Sequence, residues 1–228
     1  MRLVSSADAG SHVPWWGVVS AVCAPIVLVV GWATAAELQP RYDWILQTVS
    51  VLASPGAADR WVMSWTFLLV GTLDVVTALA LRPAVRLGRI ILIFGAISGM
   101  LVAANPEPTG GSSDWHAFFA GIGLVALTVW PIAAAHWHSR DNESALPWAL
   151  RPTVATWAAV VTAVLFGWFL IELVAGLPQL GVAERALGQA QALWPLIVVV
   201  SCRRHWPAAP DADRAGGTGH GYARSHVR

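Results

Sequence analysis

The chain has 228 residues, 56% of them hydrophobic and 12% charged, with a formal net charge of +1 and a mean hydropathy of +0.59. A soluble domain carries roughly 25% charged residues, so this composition excludes one, and it excludes disorder and collagen as well. Two cysteines build neither a disulfide framework nor a zinc knuckle, and the charge balance offers no basic surface to nucleic acid. The apolar residues must face lipid. All 14 basic residues are arginine, the mark of a GC-rich genome, and several of the 14 tryptophans sit where a span would meet water.

A helix needs about 20 apolar residues to cross roughly 30 Å of hydrocarbon. After an N-terminal segment, residues 1–14, six stretches reach or approach that length: Trp15 to Ala36, Trp61 to Leu81, Leu87 to Ala104, His116 to Ala135, Thr153 to Ala175 and Ala186 to Cys202. The predicted fold is therefore all-α, a polytopic integral membrane six-helix bundle over residues 15–202. Residues 203–228, rich in Gly, Ala, Pro and Arg, predict a disordered tail. Ala33-Thr34-Ala35 resembles a signal-peptide cleavage site, but the long apolar run with only Arg2 before it favours a retained first helix. Pro25 and Pro131 predict kinks. Gly95 with Gly99, and Ala117 with Gly121, predict close helix packing.

Arginine distribution orients the bundle, because positive residues stay on the cytoplasmic side. Arg2, Arg82, Arg86, Arg89, Arg140, Arg151 and the five arginines from Arg203 onward fall on one side, against Arg41, Arg60 and Arg185 on the other. Both termini are expected in the cytoplasm.

Polar residues then collect on the outer side. The first outer connection holds Tyr42, Asp43, Gln47 and Ser50 around an apolar stretch, Trp44 to Ala53, that is too short to span and predicts a short interfacial helix. The second brings Glu107 and Asp114 to His116 at the mouth of the fourth span, and the third supplies Glu184 and Arg185, with Gln189 a turn further on and Glu172 near the end of the fifth span. His116 is the candidate acid, base or ligand, with Glu107 and Asp43 orienting it, and Tyr42, Ser50, Glu172, Glu184, Arg185 and Gln189 are candidate binding residues. A Glu172–Arg185 clamp between the last two helices is an equal alternative. Asp74 lies inside the second span, where a carboxylate costs about 2.5–3.5 kcal/mol, so it faces the bundle interior as a packing residue or a proton or ion relay.

No cofactor is implied. With no HExxH, no paired His and no nearby cysteine, spacing does not support a divalent metal at the outer cluster. His116 and His136 are about 30 Å apart along one helix and cannot bracket a haem, and His136 with His138 read as a solvated loop. P-loop and G-x-S-x-G elbow motifs are absent.

Three stretches carry a family resemblance: Tyr42-Asp43 with Thr48-Val49-Ser50-Val51-Leu52-Ala53 running through Arg60-Trp61-Val62 to Phe67 and Gly71; Asn105-Pro106-Glu107-Pro108 followed by His116; and Gly181-Val182-Ala183-Glu184-Arg185 with Trp194. In order and placement they resemble the bacterial six-span membrane proteins grouped as domain of unknown function 998. The resemblance covers about Trp15 to Cys202 and departs at Glu107, where the family pattern has Asp, and in lacking a second His before His116. It implies a multi-pass protein of a bacterial cytoplasmic membrane, with no reaction attached. The polar groups at one depth predict binding or processing of a lipid or lipid-linked molecule at the outer leaflet, with membrane lipids as partners. The alternative is a non-catalytic small transporter, or an accessory or scaffold subunit bound to another membrane protein.

Overall fold

A computed structural model describes residues 12–108, 113–137 and 144–206. Among them are six α-helices: α1 (Trp15–Leu38), α2 (Trp61–Ala80), α3 (Arg86–Ala104), α4 (Asp114–Ala134), α5 (Pro152–Ala175) and α6 (Leu180–His205). Each helix packs on the next in sequence, and α6 returns to pack on α1, so the bundle closes as a ring. Neighbours are antiparallel. One end, here the loop end, carries residues 39–60 and 176–179; the other, the terminal end, carries the junction 81–85 and residues 135–137 and 144–151.

Five of the helices, α1 to α5, are long and apolar enough to cross a membrane. Their bounds fall within two residues of the predicted spans. Large apolar side chains such as Trp65, Val164 and Val174 stay exposed on them, as a lipid-facing surface requires. α6 differs. It begins at Leu180 rather than Ala186, continues through Arg203 and Arg204 beyond the expected start of the tail at 203, and is not among the five. Glu184, Arg185, Gln189 and Gln191 interrupt its apolar run, and it turns polar groups inward instead: Gln191 Nε2 donates to Leu124 O at 3.0 Å and to Thr128 Oγ1 at 3.1 Å. Residues 207–228 lie outside the described residues.

Local chemistry sets the helix ends. Pro152 opens α5 at a position whose N–H would be unpaired anyway, and Gly176, at φ 63°, closes it with its N–H on Glu172 O. Ser113 caps α4 by accepting from His116 N at 3.3 Å. At the terminal end, Arg89 Nε donates to Ala78 O at 2.8 Å, Arg151 Nε to Leu146 O at 3.4 Å and Arg203 Nη1 to Val13 O at 3.2 Å. His136, expected in a solvated loop, instead bonds Pro83 O at 2.7 Å through Nε2; His138 lies outside the described residues.

The predicted small-residue stripes divide. Gly95 is a true contact, since a Cβ there would lie 3.0 Å from Leu127 on α4. A Cβ on Gly99 or Gly121 would meet nothing within 4 Å. α3 approaches α4 closely at Gly88 as well, where a Cβ would stand 2.3 Å from Ala134 Cα.

Candidate functional site

The loop between α1 and α2 turns out to be irregular rather than helical, apart from a 3-10 turn at Ser50–Ala53. Side chains take the backbone groups that a helix would need. Asp43 Oδ1 accepts from Ile45 N at 2.9 Å and Leu46 N at 3.3 Å, while Tyr42 donates its hydroxyl to Gln47 O at 3.1 Å and Thr48 O at 2.8 Å. The first turns of α6 hold the same loop from the other side. Gly181 N donates to Ile45 O at 2.9 Å, Arg185 Nη1 donates to Trp44 O at 3.0 Å and Gln47 O at 3.1 Å, and Arg185 Nη2 donates to the Tyr42 hydroxyl. Glu184 Oε2 accepts from Val49 N at 2.5 Å. Only glycine fits at 181, where a Cβ would be 2.3 Å from Gln47 O and 2.4 Å from Trp44 O.

This lock presents Ser50 to α4. His116, buried in the first turn of α4, sits 3.2 Å from Ser50 Oγ through Nε2 and 3.0 Å from Asn105 O through Nδ1. Beyond the pair opens a cavity of about 750 Å³. Its polar end is lined by Gln47, Thr48, Ser50, Ser54, Glu107, His116 and Glu184. Its walls are apolar, with Ala117, Ala120, Gly121 and Leu124 from α4 facing Phe166, Phe169, Leu170 and Leu173 from α5. The Ala117–Gly121 stripe, predicted as a packing face, thus makes room rather than contact.

Of the predicted site residues, Ser50, Glu107, His116 and Glu184 line this cavity, whereas Asp43, Tyr42 and Arg185 are turned to the loop. Burial pushes the Tyr42 phenol above its usual value near 10, against the opposing pull of Arg185. Glu172 is buried but makes no clamp with Arg185: its carboxylate accepts from Trp168 Nε1 at 3.0 Å and Gln179 N at 2.8 Å, tying the α5–α6 turn. Gln189 is half-buried on α6, away from the cavity lining. Asp74 is 5% exposed inside the bundle, and its Oδ1 has no hydrogen-bond partner. Near it the α1–α2 contact carries a buried Ser20–Thr77 hydroxyl pair at 2.8 Å. Sequence reasoning missed Asn105, which contributes only a backbone carbonyl and so leaves no side-chain signal. Among the described residues, no three His, Cys, Asp or Glu side chains converge as a metal site would require.

One family model, described as "Protein of unknown function (DUF998)", matches residues 22–201. The chain belongs to this family. Neither the curated proteins nor the solved structures contain a match. The geometry gives the three DUF998-like stretches distinct work. Tyr42-Asp43 and Gly181 with Glu184-Arg185 build the loop lock, and Ser50, Glu107 and His116 reach the cavity from the first and second stretches.

Proposed function

We propose that this DUF998 protein binds the headgroup and one chain of a membrane amphiphile, a lipid or lipid-linked molecule, in the cavity between α4 and α5. The observation that carries the reading is the division of the cavity: one polar end of hydroxyl, imidazole and carboxyl groups, and walls of Phe, Leu and Ala. The charge of that end selects the ligand further. Glu107 and Glu184 line it, and the nearby Arg185 guanidinium is spent on Trp44 O, Gln47 O and Gly181 O rather than facing the cavity. A neutral or cationic headgroup suits this end better than a phosphate.

The excess of arginine at the terminal end supports an orientation with both termini cytoplasmic and the loop end outward, in a bacterial cytoplasmic membrane. The test is lipid retention. Protein extracted in mild detergent is examined by native mass spectrometry, and Gly121→Phe is placed in the open space that the glycine leaves. The expected result is a retained amphiphile that the phenylalanine displaces, with thermal stability unchanged. Equal retention by both proteins would overturn the reading.

The second reading, a small transporter, draws on the unpartnered Asp74 Oδ1 within the ring. It requires ion-coupled flux that Asp74→Asn abolishes in proteoliposomes.

A further inference from the structure

We infer that Ser50 is an acyl-accepting nucleophile and His116 its general base, acting on a carboxylic ester of the amphiphile. This inference rests on the amphiphile-binding reading and names the chemistry of the same site. The decisive point is the tautomer of His116. Asn105 O can only accept a hydrogen bond, so Nδ1 carries the ring proton and donates to it at 3.0 Å. A neutral ring then has its lone pair on Nε2, and Nε2 faces the Ser50 hydroxyl at 3.2 Å. A hydroxyl, a base within reach of it, and a third group orienting that base make up the arrangement that activates a serine. The orienting group here is a main-chain carbonyl.

The pair is placed for a substrate rather than sealed in the core. Both residues line the cavity, and both are held from behind. Glu184 takes Val49 N, the residue before Ser50, and Ser113 caps the turn that carries His116. An ester carbonyl bound at the junction of polar end and apolar wall, with its acyl chain between Phe166 and Gly121, lies beside Ser50.

The chemistry closes without an outside oxidant or reductant. Ser50 Oγ attacks the ester carbonyl carbon while its proton passes to His116 Nε2. The tetrahedral intermediate collapses, the bond from carbon to the alcohol oxygen breaks, and the departing alcohol takes the proton from Nε2. Water then attacks the acyl carbon of acyl-Ser50 and gives a proton to Nε2. The carbon–Oγ bond breaks, Oγ recovers the proton, and the carboxylic acid leaves.

The test uses a fluorophosphonate carrying a long alkyl chain, with the full chain in lipid nanodiscs and the adduct located by peptide mass spectrometry. A covalent adduct on Ser50 is expected in the unmodified protein, absent in Ser50→Ala and formed at least about a hundredfold more slowly in His116→Ala. Because the adduct is read first in the unmodified chain, a variant that fails to fold does not decide the outcome. An adduct on another residue, no adduct, or equal labelling of His116→Ala would overturn the inference. Lipid retention measured on the same samples separates the two failures: lipid held but Ser50 unlabelled removes the nucleophile alone, whereas no lipid held removes the binding reading beneath it.

Discussion

The two ends of the bundle are built from similar polar residues and use them differently. At the terminal end, Arg89, Arg151, Arg203 and His136 all donate to or pair with backbone carbonyls, and the cavity there, about 650 Å³, is lined among the described residues by Val85, Leu87, Ile91, Val129 and other apolar side chains together with His136. At the loop end Tyr42, Asp43, Arg185, Glu184 and His116 likewise satisfy backbone groups, yet Glu184 and His116 also line a cavity together with Ser50 and Glu107. Polar residues at a membrane surface are first of all the means by which helix ends and loops satisfy their backbone groups. Candidates for chemistry are the ones that, whatever backbone group they also hold, face a cavity.

The comparison breaks most sharply at two glycines. Gly181→Val drives a side chain into Gln47 O and Trp44 O, and Gly88→Val drives one into the Ala134 backbone. Each is expected to cost about 1–3 kcal/mol or more in unfolding measurements. Only Gly181→Val is expected to open residues 42–49 to proteolysis and to lose the bound amphiphile, and equal loss from both would mean that the two ends are not independent. Tyr42→Phe comes next. It leaves Gln47 O, Thr48 O and Arg185 Nη2 without the hydroxyl, at a cost of about 1–3 kcal/mol, and faster hydrogen exchange confined to the loop would show it. Arg89→Ala removes donors from Ala78 O and Leu79 O at a partly exposed helix end. About 1 kcal/mol is expected, seen as a small drop in melting temperature with lipid retention unchanged.

The smallest effect is a pH dependence. Tyr42 holds its proton more firmly when folded, because burial disfavours the phenolate. The folded state therefore binds more protons than the unfolded one above the usual phenol value, and loop docking is present below about pH 10 and weakens as pH rises further. Exchange rates in residues 42–49 should climb more steeply above about pH 10 in the unmodified protein, and Tyr42→Phe should remove that extra rise.

Five helices were legible because long apolar runs bounded by arginine, proline and tryptophan admit few alternatives. α6 was legible only in its apolar half: residues 180–185 are polar enough to read as a connection, and they are helical because they dock on a loop more than a hundred residues earlier. The interfacial helix is present only as the 3-10 turn Ser50–Ala53, since the carbonyls of the residues before it are claimed by Tyr42, Gly181 and Arg185. Common depth pointed to Ser50, Glu107, His116 and Glu184 as neighbours. What depth leaves open is which atoms meet: the Ser50–His116 contact spans 66 positions of sequence. Arg185 shows the converse, a candidate binding residue whose guanidinium proves to be taken by carbonyls of the loop and of its own helix.

The closure of the ring by α6 bears on how the protein is made. The polar partners of that helix on other elements named above were synthesised before it, among them Val49, Trp44 and Tyr42 in the first loop and Leu124 and Thr128 on α4. The last and least apolar helix thus emerges from the ribosome when its template already exists. Until it docks, the segment bearing Ser50 lacks the bonds from Val49 N to Glu184 and from Arg185 to Trp44 O that hold it in place.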